Sequence, residues 1–418
     1  MNILYIVPYV PNLIRVRPYQ LIRTLLRRGH RVTVATVWTS AQEAADLQQL
    51  TIAGARVLAQ PQPRWRSLLN SIGALPTATP LQAVYSWQPA LAQMVLTAIQ
   101  HEQFDVVHVE HLRGACYGLH LQAWCHRHQM NLPVVWDSVD CISHLFAQAA
   151  QRSRSRQGRW MTKLELARTR TYEGWLVHQF NQIVVTSAAD QGALAQLAEQ
   201  HPPQDSLDAA RFQVLPNGVD LAYFSPNGIA REPATLVFSG KLSYHANVTA
   251  AIQLVEEIMP LVWAQRPEVQ LYLVGKDPSP QVRALATPPG TAQSSPQVVV
   301  TGTVDDIRPY LRKATLAVAP IPYGTGIQNK VLEALACGTP VIASPQAISA
   351  LAIDTQSEVW VAPDPPTFAQ MILRLLADPE RCAALGQRGR AFVERHHSWQ
   401  AAAAQLEKIY TRARNERL

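Results

Sequence analysis

Residues 314–344 read as a strand, a glycine turn, a helix and a second strand, an order that leaves few folds open. The apolar run 314–320 predicts a buried strand, and Gly324, Thr325 and Gly326 predict a turn. Ile327, Val331 and Leu335 recur every four residues, so 327–337 predicts a helix with one apolar face. Gly338 is placed to stop that helix, Pro340 prevents its continuation, and 341–344 predicts the next strand. The first N–H groups of a helix have no intrahelical partner, so a helix behind a strand and a glycine turn is a seat for phosphate. Lys330 and Glu333 lie three apart and share a side of this helix. Lysine suits phosphate charge and a carboxylate suits ribose hydroxyls, so the stretch fits a nucleotide. An ordinary strand–helix–strand unit carrying a solvated Lys–Glu pair fits the same residues.

Strands and helices alternate through nearly the whole chain, in two series. The first opens with strand 2–8, a loop, helix 18–28 stopped by Gly29, and strand 32–36, a βαβ start of the doubly wound type. Strands at 106–110, 133–136, 183–186 and 212–215 follow, with helices at 89–101, 112–129 and 188–199 and a long basic helix over 154–180. Residues 60–90 are irregular. Pro226, Asn227, Gly228 and Pro233 mark 225–234 as a linker. The second series places strands at 235–239, 269–275, 298–300, 314–320, 341–344 and 359–361. Its helices fall near 247–265, 305–313, 327–337, 366–377 and 379–396, and a last one near 399–412. Residues 287–296 read as a polar surface loop. The expected organisation is α/β, with two Rossmann-like doubly wound domains over 1–224 and 235–397, linker 225–234, and a terminal segment 398–418.

Composition narrows the function classes. With 48% hydrophobic and 16% charged residues over 418, the chain is core-rich and globular. No apolar run approaches the ~20 residues that cross a bilayer. The N-terminus lacks a basic leader and a small-residue cleavage site, so it reads as a first strand rather than a signal peptide. Cys116, Cys125, Cys141, Cys337 and Cys382 are an odd number without paired spacing, which fits a reducing cytoplasm. The net charge of +7 is unevenly spread, with Arg152, Arg154, Arg156, Arg159, Lys163, Arg168 and Arg170 in one segment and Arg64 and Arg66 in another. Interleaved with Trp65, Leu68, Leu69 and Ile72, such cations suit an anionic membrane surface, through 64–75 and 152–170, or a phosphorylated acceptor. A solvated basic helix face, or an insert packed over a pocket, accounts for them equally. No nucleic-acid module is recognisable.

Candidate ligand-binding groups gather at strand ends. The first strand is not followed by Gly-x-Gly-x-x-Gly; Arg15 and Arg17 stand there instead, where open α/β sheets bind ligands, and fit a phosphate or an acceptor better than plain surface. Asp137 and Asp140 follow strand 133–136 as candidates for catalysis or hydroxyl binding; a helix N-cap and a turn aspartate are the equal alternative. His108 and His111 flank the neighbouring strand end. Cys125, His126 and His128 match no common zinc spacing, so no metal is expected.

Several motifs together resemble glycosyltransferase family 4, retaining nucleotide-sugar glycosyltransferases of the two-domain GT-B fold. They are Pro216-Asn-Gly-Val-Asp220, Phe238-Ser-Gly-Lys241, and the run from Leu332, Glu333 and Ala334 to Gly338 and Val341. The final helix, from Trp399, resembles the family's segment that crosses back onto the first domain. More narrowly, Arg17-Pro-Tyr, the turn Tyr244-His-Ala-Asn247 and the run Gly324 to Glu333 are similar to sugar transferases of exosortase-type exopolysaccharide systems. The resemblance implies two domains facing across a cleft, a nucleoside-diphosphate-sugar donor, a glycan or lipid-linked acceptor, and no metal or other cofactor. It implies Lys241 at the diphosphate, Glu333 at the ribose, and Gly240, Val304, Gly326, Ile327, Gln328, Asn329 and Lys330 around the donor. Lys241, Lys330 and Asp137 would then be catalytic, and Arg15, Arg17, His111, Asp137 and Asp140 would meet the acceptor. Thr325 stands where the family usually has a further glutamate, Asp137 where it has a histidine, and a common second lysine is absent near His245 and Asn247. A nucleotide-sugar epimerase of the same fold, or a non-catalytic binding scaffold, are the other readings of these motifs.

Overall fold

The computed structural model describes residues 1–152, 156–200, 211–286, 297–323 and 327–415. Gly324, Thr325 and Gly326, the loop 287–296 and part of the basic segment 152–170 lie outside the described residues. By its contacts the chain divides into two units, 1–217 with 399–418, and 218–398.

The first unit runs β1 (Asn2–Val7), α1 (Val16–Arg27), β2 (Arg31–Trp38), α2 (Ala41–Ile52) and β3 (Arg56–Pro61). Then come α3 (Arg64–Ala74), α4 (Leu81–Val84), α5 (Pro89–His101), β4 (Val106–Glu110), α6 (Ala115–Arg127) and β5 (Val134–Val139). It goes on through α7 (Ile142–Arg152), α8 (Arg156–Val177), β6 (Gln182–Val185), α9 (Ala188–Glu199) and β7 (Phe212–Val214). Its seven strands lie in the order β3-β2-β1-β4-β5-β6-β7, and every pair is parallel. A parallel sheet is covered on both faces, so its strands are apolar throughout rather than alternating. In β1, Leu4 and Ile6 enter one core with Val95, Leu121 and Leu194. Ile3, Tyr5 and Val7 enter the other with Leu21 and Leu25 of α1.

The second unit runs β8 (Glu232–Ser239), α10 (His245–Gln253), α11 (Met259–Trp263), β9 (Gln270–Val274), α12 (Pro280–Arg283), β10 (Val298–Gly302) and α13 (Arg308–Lys313). It is completed by β11 (Ala314–Ala319), α14 (Asn329–Ala336), β12 (Val341–Ala343), β13 (Trp360–Val361), α15 (Pro365–Ala377) and α16 (Pro379–His396). Its sheet, β10-β9-β8-β11-β12-β13, is also all parallel. The last helix, α17 (Trp399–Asn415), belongs to the first unit, where Trp399, Ala403, Leu406 and Tyr410 complete the core around Tyr5 and Leu21.

Two expectations need correction. Residues 225–234 are not a free linker: the chain leaves the first unit after Asn217, and this stretch is fastened to the second. Arg231 donates to the carbonyls of Ala314 at 2.8 Å and Gly338 at 2.7 Å, Arg312 donates to that of Ser225 at 2.7 Å, and Pro233 already lies within β8. Proline and glycine there mark a turn-rich path, but Arg231 within it and Arg312 opposite fasten it to the second unit. The basic helix expected over 154–180 is α8, and α7 before it is an element the sequence reading left out. The irregular 60–90 region holds α3 and α4, and β3 just before them is an edge strand that buries only Leu58. Such a strand lacks the apolar run by which central strands are recognised.

Buried charge holds the carboxyl edge of the first sheet. Arg17 is buried and donates through Nε and Nη2 to Oδ2 of the fully buried Asp137, at 3.0 and 2.7 Å. Its Nη1 reaches Leu215 O at 3.0 Å and Asn217 Oδ1 at 2.8 Å. Beside it Glu110 accepts from the hydroxyls of Tyr5 at 2.6 Å and Tyr9 at 2.8 Å. Burial, and then the charge of Asp137, push the Glu110 carboxyl up to about 7. From α17 the Tyr410 hydroxyl meets His108 Nδ1 at 3.0 Å, and burial keeps that imidazole neutral.

In the second unit two chain turns touch. A Cβ on Gly275, after β9, would lie 1.7 Å from the carbonyl oxygen of Gly240, after β8, so only glycine permits this approach.

Two outcomes follow. Arg17→Ala should cost ~3–5 kcal/mol by leaving Asp137 buried and unpaired. In that variant the folded-state pKa of Asp137 rises further above its unfolded value, so the deficit should be larger at pH 8 than at pH 5; urea denaturation at both pH values checks this. Gly275→Ala should lower stability by at least ~2 kcal/mol and displace Gly240, whereas Gly29→Ala, where the added Cβ meets nothing within 4 Å, pays backbone strain of ~1–2 kcal/mol. Thermal unfolding of the two variants compares them.

Candidate active site

In a doubly wound sheet, ligands bind beyond the strand carboxyl ends where the chain winds off in opposite directions. In the second unit that point lies between β8 and β11. β8 runs into Gly240 and Lys241, and Gly240 takes φ +141°, a conformation that favours glycine. β11 leads through Tyr323 towards α14. The side chain of Lys330, in the first turn of α14, reaches back to the end of β8. A Cβ on Gly240 would stand 3.2 Å from its Cε and 3.3 Å from its Nζ. Glycine is therefore needed there for space as well as for backbone angle.

Asn247 organises this corner. Its Nδ2 donates to the carbonyl of Lys241 at 2.9 Å, and its Oδ1 accepts from Lys330 Nζ. The ammonium also lies 4.9 Å from the centroid of the Phe238 ring. No carboxylate of the described residues comes within 4.0 Å of it. Burial pushes Lys330 down to about 7, with Glu333 opposing the shift. Burial likewise pushes Glu333 up to about 7, with Lys330 opposing. Gln328 is the N-cap of α14, yet its side chain makes no cap bond, whereas Ser187 of α9 and Asp364 of α15 cap theirs. A buried cation partnered by a neutral amide in the first turn of a helix is an arrangement that receives an anion.

Beside this corner is an aromatic cluster. His245 Nδ1 lies 3.0 Å from the Tyr323 hydroxyl, and their rings stack at 5.3 Å with an interplanar angle of 12°. Tyr244 adjoins His245 at 4.4 Å between ring centroids.

Of the donor residues expected from the sequence, the structure brings Gly240, the Lys241 main chain and Lys330 together, with Glu333 one turn along. Ile327 is buried in the core, so its main chain is what it can offer. Gln328 and Asn329 open α14. Gly326 lies outside the described residues. Val304 follows β10, the edge strand two places from β8, and packs against the core. In the sequence Asn247 stands only beside the place of an absent lysine; its position in the first turn of α10, seven residues after Gly240, is the available signal.

In the first unit the expected residues are present but differently used. Arg17 and Asp137 bond to each other, so neither is the outward-reaching group that its strand-end position suggested. Arg15 pairs with Glu43 at 3.0 Å and lies 4.7 Å from the Tyr9 ring centroid. Asp140 is half-buried, accepts weakly from the Thr186 hydroxyl at 3.4 Å, and is pushed up to about 7 by burial and then by Asp190. The residue before it, Val139, has φ +66°, a strained angle for a β-branched residue.

His111 follows β4 directly, also left-handed at φ +67°, with its N–H donating to Asp137 O at 2.6 Å. The Arg113 N–H donates to its Nδ1 at 3.2 Å, which places the imidazole proton on Nε2. Burial, then Arg113, pushes this histidine down to about 3, so it is neutral at physiological pH. A histidine thus does stand at a strand end of the first unit, next to the strand that carries Asp137. Among the described residues no three His, Cys, Asp or Glu side chains gather as a metal site would require. The five cysteines are unpaired thiols.

Residues 15–223, half of the chain, match the family model described as Glycosyltransferase Family 4, and residues 233–378 match Glycosyl transferases group 1. A GDP-mannose-dependent monoacylated alpha-(1-6)-phosphatidylinositol monomannoside mannosyltransferase of Corynebacterium glutamicum is 30% identical over 216 residues, 47% of this chain and 55% of that protein. A D-inositol 3-phosphate glycosyltransferase of Segniliparus rotundus is 28% identical over 260 residues, 58% and 54% of the two chains. The chain spans about half the length of the curated relatives it matches. Sucrose-phosphate synthase from Thermosynechococcus elongatus superposes with a TM-score of 0.65 at 19% identity, covering 98% of both chains. Anabaena HepE in complex with UDP-glucose superposes at 0.62 and 17% identity, covering 99% of this chain and 100% of that one. These structures share the fold, two Rossmann-like parallel-sheet domains of the GT-B type. With half its length matched by the family's own model, the chain belongs to glycosyltransferase family 4.

Proposed function

We propose that the protein transfers a sugar from a nucleoside-diphosphate-sugar to an acceptor hydroxyl, with retention at the anomeric carbon. The observation that carries this reading is the Lys330 ammonium, held by Asn247 beside Gly240 in the first turn of α14. The chemistry demands that negative charge growing on the departing diphosphate be met by fixed donors. Lys330, Lys241 and the helix N–H groups meet it without a metal, and Glu333 takes the ribose hydroxyls. The tyrosine and histidine cluster at Tyr323 and His245 would lie beside the bound donor. The family relation supports transfer, and the UDP-glucose held by Anabaena HepE supports a nucleotide-sugar donor.

We assign the acceptor to the first unit. Arg15 and Asp140 would hold it, and His111 would offer Nε2–H as a neutral hydrogen-bonding group. Arg17 and Asp137 act there by positioning, since each already holds the other. The acceptor is a glycan or a lipid-linked carrier in exopolysaccharide or other cell-surface glycan synthesis. That reading rests on the exosortase-type motifs and on the phosphatidylinositol-linked substrate named for the corynebacterial relative. A lipid-linked acceptor would bring the chain from the cytoplasm to the inner face of the plasma membrane.

Radiolabelled transfer with and without acceptor tests the reaction class: label moving to acceptor supports it, and an isomerised donor formed without acceptor would make the protein an epimerase. A thermal-shift series with UDP-, GDP-, ADP- and dTDP-sugars identifies the donor first, because a bound ligand raises apparent stability. Lys330→Ala is expected to lower turnover by about 10²–10³-fold, and unchanged turnover would remove its role. Nucleoside diphosphate affinity should peak near pH 7. It falls as pH rises because Lys330, pushed down to about 7, loses its proton, and falls as pH drops because Glu333, pushed up to about 7, gains one. Lys330→Arg should flatten the alkaline limb and Glu333→Gln the acid limb, as read by calorimetric titration between pH 5.5 and 9.

A further inference from the structure

Helix α3 is built the wrong way out for a soluble helix. Its large apolar side chains face solvent: Trp65, Leu68, Leu69, Ile72 and Leu75 are 56, 61, 58, 52 and 53% exposed. Spacings of three and one put these residues on one side of the helix. The side packed on the protein is small or polar. Ser67 and Ala74 are buried, Asn70 donates to Trp87 O at 2.8 Å, and Gln62 donates to the Ser67 hydroxyl at 3.2 Å. The helix is tied down at its end as well, where Arg168 Nη2 donates to Leu75 O at 2.5 Å. A held helix presenting five large apolar side chains forms a contiguous outward patch, which marks an interaction surface.

The charge around the patch has one sign. Residues 61–88 include no aspartate or glutamate and carry Arg64 and Arg66. Arg64 is exposed at the first turn of α3, and the Arg66 guanidinium lies 5.0 Å from the Trp65 ring centroid. The acid that approaches from α8, Glu165, is occupied by the Leu81 N–H at 3.0 Å and by Arg168 at 3.4 Å. Leucine and isoleucine flanked by tryptophan and arginine match the layers of a bilayer surface: acyl chains, then the interfacial belt, then anionic headgroups. No helix among the described residues is long and apolar enough to cross a membrane, so the contact this patch can make is an interfacial one.

We propose that α3 seats the protein on an anionic lipid surface, with Trp65, Leu68, Leu69, Ile72 and Leu75 entering the headgroup–acyl boundary and Arg64 and Arg66 on lipid phosphates. This names the membrane-facing element of the function proposed above, and its test does not depend on donor, acceptor or transfer.

The test is co-sedimentation of the full chain with vesicles of phosphatidylcholine and of phosphatidylcholine with 30 mol% phosphatidylglycerol. Binding to the anionic vesicles, weaker on the neutral ones and at 0.5 M salt, is expected. Leu68→Ser with Leu69→Ser should lower the partition coefficient at least about ten-fold, and Arg64→Glu with Arg66→Glu should abolish the preference for anionic lipid. These positions face solvent, so circular dichroism and the thermal midpoint should match the parent chain. Brominated lipids should quench tryptophan emission, and Trp65→Phe should remove that quenching. Absence of vesicle binding, binding unchanged by the leucine substitutions, or a dimer in sedimentation that those substitutions dissolve would each overturn the proposal.

Discussion

One buried guanidinium decides how the first unit ends its sheet. Arg17 comes from the start of α1, Asp137 from β5, and Leu215 and Asn217 from the exit of β7, and the arginine bonds to both of the other segments. In an all-parallel sheet the strand ends that carry chemistry are separated by long crossovers, so no hairpin fixes them against one another. A planar cation with several donors supplies that fixing from the interior. Asp137 is then free to accept the Val139 N–H at 3.0 Å through its other oxygen, holding a valine at an angle it would not choose and setting where Asp140 begins. The same segment passes its Asp137 carbonyl to the N–H of His111, so two left-handed residues on adjacent strand ends depend on one ion pair.

The two units treat buried cations in opposite ways. Arg17 is saturated by a carboxylate, a carbonyl and a side-chain amide, and its charge is spent on architecture. Lys330 is given an amide oxygen and a ring face, and its ammonium is left half-destabilised. An incomplete set of partners is unfavourable in the empty protein and favourable once an anion arrives, because the desolvation cost has been met in folding. That asymmetry, more than the count of basic residues, distinguishes the unit to which we assign the diphosphate. It also explains the glycines: Gly240 and Gly275 crowd their backbones together so that a lysine from another element can lie across the strand end.

Helix α3 departs from the rest of the first unit in its polarity. α1 and α17 bury leucine, isoleucine and tyrosine against the sheet, while α3 buries serine and alanine and exposes its leucines. All three helices are amphipathic at the helical period; the direction of the apolar face differs, and direction is a tertiary property.

Much of this protein was legible before folding was considered. Hydrophobic runs, glycine stops and helix periods placed the central strands and the helix at 327–337, because parallel strands buried on both faces write themselves as continuous apolar stretches. Gly338, expected to stop that helix, has φ +69°. The motif residues Gly240, Lys241, Lys330 and Glu333 were identifiable as a group. What the linear chain could not reveal was partnership. Arg17 and Asp137 are 120 residues apart, and Lys330 and Asn247 are 83 apart. Whether a charged side chain meets a ligand or another side chain is decided by distances that only the folded sheet creates. So the sequence determined which residues could do chemistry, and the tertiary structure decided which of them were already taken.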